Sequence, residues 1–75
     1  MGQTTIIKYQ IDEPMAVNLS LYDMMGKQVK VLVNEQKLTG MFEVSLDCST
    51  LKPGSYHYCL LANGEKITRK LVVVQ

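Results

Sequence analysis

His57 and Cys59 are the side chains with the most reactive chemistry in this 75-residue sequence. On an extended strand they project from the same face two positions apart, the relation a thiol–imidazole nucleophile pair would use. Nothing nearby orients the imidazole or supplies an oxyanion hole, and this spacing arises by chance in any strand. His57 therefore reads as a surface or inter-sheet residue. It is the single histidine, and with two cysteines it falls short of the four ligands of a structural zinc site. Cys48 and Cys59 allow one disulfide; two separately buried thiols is the plainer reading, because a pair of cysteines is too few for a disulfide-stapled scaffold.

The acids are no better placed for catalysis. Asp12-Glu13 and Glu65 fall at turn positions, and no carboxylate pair has a recognisable spacing. Gly26, Gly40, Gly54 and Gly64 are dispersed, so no loop cradles a phosphate, and alternating Asp/Asn for a calcium loop is missing. Met24-Met25, in a turn, is an exposed apolar pair that could make a contact. No enzyme activity, cofactor or metal is implied.

Charge excludes further classes. Eight basic and seven acidic residues leave a net charge of +1. That balance carries no footprint for nucleic acid or an anionic membrane. No apolar run approaches the ~18 residues that read as a membrane span. Met1-Gly2 looks like an added expression start, with one domain over residues 3–75. The chain reads as a piece of a longer protein.

The elements must then carry the function as a surface. Apolar and polar residues alternate with period two, which predicts strands. They are expected over 4–11, 15–22, 28–33, 41–47, 55–62 and 65–74, with a polar loop over 34–40. Pro14 ends the first, since it cannot donate to a ladder. Met15, Val17, Leu19 and Leu21 share one face of the second, and Val29, Val31 and Val33 alternate along the third. Phe42, Val44 and Leu46 point inward from the fourth. Asp23 opens a turn that Gly26 closes, and Pro53-Gly54 marks another. Asn63-Gly64 is a two-residue hairpin signal, because a type I′ turn needs positive φ at both positions. That turn pairs Ala62 with Glu65, Leu60 with Ile67, Tyr58 with Arg69 and Tyr56 with Leu71. Tyr56, Tyr58, Leu60, Ile67 and Leu71 are then expected in the core, with Arg69 snorkelling to its rim over Tyr58 as a cation–π pair. Lys70 and His57 fall on the opposite face. Six or seven short strands at this spacing predict an all-β sandwich of two antiparallel sheets.

Four segments, in this order, carry a resemblance. They are Thr4-Thr5-Ile6-Ile7-Lys8-Tyr9; Leu21-Tyr22-Asp23-Met24-Met25-Gly26-Lys27-Gln28-Val29; Leu51-Lys52-Pro53-Gly54-Ser55-Tyr56-His57-Tyr58; and the ending Thr68-Arg69-Lys70-Leu71-Val72-Val73-Val74. Together they resemble the C-terminal sorting domain of the type IX (Por) secretion system, of the type A kind. Two positions depart from that pattern: Gln75, where the family often has Lys or Arg, and Asp47-Cys48 after the fourth strand. The resemblance implies an immunoglobulin-like sandwich at the end of a secreted bacterial cargo, of the kind found in Bacteroidetes. It implies periplasmic transit, recognition by the outer-membrane translocon, and removal by a surface sortase-like protease. Gly26, Gly54, Tyr56 and Lys70 occupy its motif positions, with Arg69 beside Lys70. The glycines also have a plain reading as turn residues and Tyr56 as core packing, which leaves Lys70 as the recognition candidate. A free sheet edge could also pair two copies. The alternative is an accessory fibronectin-like module that binds carbohydrate or protein on a secreted enzyme; it would need exposed aromatics on one face.

Overall fold

The computed structural model describes residues 4–74, in six strands and one 3-10 turn. The strands are β1 (Thr4–Ile11), β2 (Met15–Asp23), β3 (Gln28–Lys37), β4 (Gly40–Asp47), β5 (Gly54–Ala62) and β6 (Glu65–Val73). Cys48–Thr50 forms the 3-10 turn between β4 and β5. β1 and β4 pair antiparallel as a small sheet, and β3-β2-β5-β6 form a larger one, also antiparallel. The all-β sandwich expected from the alternation is present.

The order of strands is that of an immunoglobulin-like sandwich. In that architecture strands B and E lie in one sheet and C, F and G in the other, with C′ beside C. Here β1 and β4 stand at B and E, β2 and β3 at C and C′, and β5 and β6 at F and G.

Two apolar clusters fill the interior. Ile7, Tyr9, Ile11, Val17, Leu19 and Val33 form one; Leu21, Leu46, Cys48 and Val73 form the other. Leu19, Leu21 and Leu46 are each 0% exposed, so each contributes on the order of 1.5–3 kcal/mol by burial. The first cluster includes an offset stack of Tyr9 on Phe42, with ring centroids 5.6 Å apart.

Three expectations need correction. The polar stretch 34–40 is not a loop throughout. β3 runs on to Lys37, pairing Glu35 with Val17, Gln36 with Ala16 and Lys37 with Met15. The backbone of β2 needs a partner there whatever side chains β3 carries, and an edge strand tolerates polar ones. Lys37 is held by an ion pair to Glu35, and its ammonium lies 5.0 Å from the centre of the Phe42 ring. Second, the valines of β3 do not share a face. The register shifts between Leu19 and Ser20, which face Val33 and Val31, so Leu32 is the extra residue of a bulge. Val33 is buried, while Val29 and Val31 turn to solvent at 41% and 44% exposure. Third, Ile67 is no core residue, at 45% exposed. The two-stranded sheet is too narrow to cover it.

Candidate functional site

The β5–β6 hairpin has the register that Asn63-Gly64 dictates. Tyr56 faces Leu71, His57 faces Lys70, Tyr58 faces Arg69 and Ala62 faces Glu65. Asn63 and Gly64 have φ of 53° and 77°, as a type I′ turn requires.

The motif segments meet at the opposite end of the sandwich. β2 ends there at Asp23, beside Tyr56 near the start of β5. Gly54 faces Val73, at the end of β6. The β2–β3 turn is built around Asp23. Its carboxylate accepts hydrogen bonds from the backbone N–H groups of Met25 and Lys27, both 2.9 Å. Gly26 donates its N–H to the Asp23 carbonyl at 3.1 Å, with φ of +83°. A side chain there would be strained although nothing lies within 4 Å of an added Cβ. The turn holds out Met24 and Met25 at 76% and 93% exposure.

Tyr56 anchors the neighbouring corner. Its ring packs on the second cluster, and its hydroxyl donates to the carbonyl of Lys52 at 2.6 Å. A tyrosine at the start of strand F that bonds backbone a few residues upstream is the tyrosine corner of immunoglobulin-like domains. The sequence motif points to Tyr56 but not to this bond. The signal for it is the interval of four from Lys52, across Pro53-Gly54. Gly54 opens β5 with φ of +149°, a conformation that favours glycine. Before it, Asp47 caps the 3-10 turn by accepting from the Ser49 N–H at 2.9 Å. Those Ser49 hydrogen bonds hold the Asp47 carboxyl below its ordinary range.

Arg69 and Lys70 point to opposite faces of β6. Lys70 stands on the outer face beside His57, whose ring stacks on Tyr22 at 5.4 Å between centroids. Tyr22, His57 and Lys70 thus form one row across β2, β5 and β6. That row depends on the β2–β5 register, a long-range pairing that local patterning does not encode. Arg69 lies on the inner side, past the cover of the small sheet. Its guanidinium donates to the Thr68 carbonyl at 3.3 Å. The cation–π contact expected with Tyr58 is not found among the described residues; the one present joins Lys37 to Phe42.

The two cysteines are not bridged to each other, and both are buried. Cys48 belongs to the second interior cluster. Cys59 lies on the other face of the large sheet, where it accepts from the Thr68 hydroxyl at 3.8 Å. Among the described residues no cluster of His, Cys, Asp or Glu is arranged to hold a metal ion. Among them, too, no helix is long and apolar enough to cross a membrane.

Among curated proteins and among solved structures, no match to this chain reaches significance. A family model does match, over residues 2–74, and its description is a secretion system C-terminal sorting domain. That span takes in all six strands, the Asp23–Gly26 turn, the Tyr56 corner and the Arg69-Lys70 ending, and the chain belongs to this family, the sorting domains of type IX secretion.

Proposed function

We propose that residues 3–75 are the unit of address that takes an attached cargo from the periplasm across the outer membrane. The family is one of sorting signals and not of enzymes. The observation that carries the finer reading is convergence. The Asp23–Gly26 turn, the Tyr56 corner and the end of β6 are distant in sequence and adjacent in space. In this reading Gly26, Gly54 and Tyr56, with Asp23 and Pro53, shape that end of the domain. Asn63 and Gly64 set the register that puts Lys70 outward. Lys70, in its row with His57 and Tyr22, is the group the translocon reads. Arg69, on the inner side, contributes less to that contact. A sortase-like protease at the cell surface then separates cargo from domain, and the cargo stays on the surface or is released.

A carbohydrate-binding role finds less support. Tyr9, Tyr56 and Tyr58 pack on the interior clusters, which leaves Tyr22 with His57 as the outer-face aromatic pair.

The test is a fusion of residues 3–75 to a periplasmic reporter in a bacterium with a working type IX system. The reporter is expected at the surface or in the medium, and Lys70→Glu is expected to cut its export at least several-fold. A wild-type fusion that stays in the periplasm overturns the proposal. Equal export of the Lys70→Glu and Arg69→Glu fusions removes Lys70 from the recognition role.

A further inference from the structure

The large sheet has two edges of different build, β3 and β6. β3 shifts register twice against β2, and such irregularities spoil an edge for a further strand. β6 keeps step with β5 throughout, from Glu65 opposite Ala62 to Val73 opposite Gly54. Its residues from Glu65 to Lys70 are all exposed. Among the described residues no strand pairs with the outer edge of β6. That edge is a regular ladder of N–H and C=O groups.

The side chains along β6 match their own reverse. Glu65, Ile67 and Arg69 share its inner face, opposite Ala62, Leu60 and Tyr58. Lys66, Thr68 and Lys70 alternate with them on the outer face. A two-fold axis normal to the sheet keeps each face on its own side, so two copies of β6 pair antiparallel about one central residue. Centred on Ile67, Glu65 of each copy stands against Arg69 of the other, and the two isoleucines meet between these pairs. Lys66 then meets Thr68, and Gly64 leaves room beside Lys70. Other centres are worse. Lys66, Arg69 or Lys70 at the centre sets a cation against itself. Thr68 at the centre sets Lys66 against Lys70, and Leu71 leaves Glu65 without a partner.

We propose that β6 is a homodimer edge, to which a second copy of this domain adds its own β6 in the register centred on Ile67. The two four-stranded sheets become one continuous sheet. Opposite charges directly across a strand pair favour this register, and like charges oppose the others. Ile67, 45% exposed in one copy, is covered by its twin. The small sheets do not obstruct the approach, because they leave β6 uncovered. The paired segment is short, so the contact is weak and depends on concentration. Both outer faces look the same way, which puts the two rows of Tyr22, His57 and Lys70 on one side of the dimer. The inference rests on the pattern of β6 and not on the sorting role proposed for Lys70.

The experiment is sedimentation of the 75-residue chain from micromolar to millimolar concentration. The chain is expected to pass from monomer to dimer, with amide exchange along β6 slowing in step. Glu65→Arg alone and Arg69→Glu alone each turn both attractions into repulsions. Each is expected to weaken self-association by about tenfold or more. Mixed one to one, these two variants regain both attractions and are expected to form a heterodimer as tight as the original dimer. The doubly exchanged chain, Glu65→Arg with Arg69→Glu, is expected to dimerise on its own. All the positions changed are exposed, and circular dichroism is the folding control. A chain that stays monomeric throughout overturns the proposal. So do single variants that associate as the original does, a mixture that stays monomeric, or protection at β1, β3 or β4 in place of β6. Protection of β6 that ignores protein concentration overturns it as well, because a segment of the same chain then occupies the edge.

Discussion

Tyr56 does two jobs with one side chain: its ring fills the core at the motif end, and its hydroxyl ties the Lys52 carbonyl to the same strand. Tyr56→Phe keeps the first and removes the second. A single hydrogen bond of this kind contributes on the order of 1 kcal/mol. The expected outcome is a melting temperature lower by about 4–8 °C, read by thermal denaturation. Gly26 separates conformation from crowding in a similar way. Its φ is +83° with open space around it, so the cost of a side chain there is backbone strain alone. Gly26→Val should destabilise by about 1–2 kcal/mol more than Gly26→Asn, because asparagine tolerates that region and a β-branched residue does not. Chemical denaturation of the two variants checks this.

At the scale of elements, the connections show how local chemistry and long-range pairing divide the work. The 3-10 turn at Cys48–Thr50 hangs on the Asp47 carboxylate, whose hydrogen bonds from Ser49 favour the ionised form. A carboxyl lowered in the native state contributes stability that is complete above its unfolded value. The contribution fades as pH falls through the native one. The Ser49 amide is therefore expected to titrate with a midpoint below the ordinary aspartate value of about 3.9, followed by NMR, and Asp47→Asn should remove that transition. Lys37 behaves in the opposite sense. Its hydrogen bond to Glu35 raises it above the usual lysine range, so that support is present at neutral pH and lost only in strong alkali. β3 also shows what polar composition hides. Its last residues look like a loop because β2, and not their own side chains, makes them a strand.

The whole molecule keeps its two thiols apart. Cys48 is inside and Cys59 lies on the far face of the large sheet, so a bridge would have to pass through a sheet. Folded protein held in mild oxidant, then unfolded and alkylated, is expected to show no Cys48–Cys59 bridge by mass spectrometry, with no change of melting temperature on adding reductant. The core leaves little reserve in so small a domain. Leu19, with no exposed surface at the meeting of β2, β3 and β5, is the position where a cavity costs most. Leu19→Ala should lose about 2–5 kcal/mol, a large share of the stability of a domain this size, seen as a collapse of the denaturation midpoint.

Much of this architecture is legible in the sequence, for reasons of short range. A period of two marks a strand, proline stops a ladder, and Asn63-Gly64 admits one turn, so the β5–β6 register and every strand span except the end of β3 follow, to within a residue, from neighbouring residues alone. The four motif segments are legible too, and with them the family. What only the tertiary structure decided depends on pairings between residues far apart. The bulge at Leu32 turns Val31 outward, and a second register shift, between Leu21 and Tyr22, leaves Val29 as an extra, exposed residue. The β2–β5 register sets Tyr22 against His57. The narrow small sheet leaves Ile67 and Arg69 uncovered. Each of these follows from which strand lies beside or above another, and local alternation tells a strand which residues share a face without telling it what that face will meet.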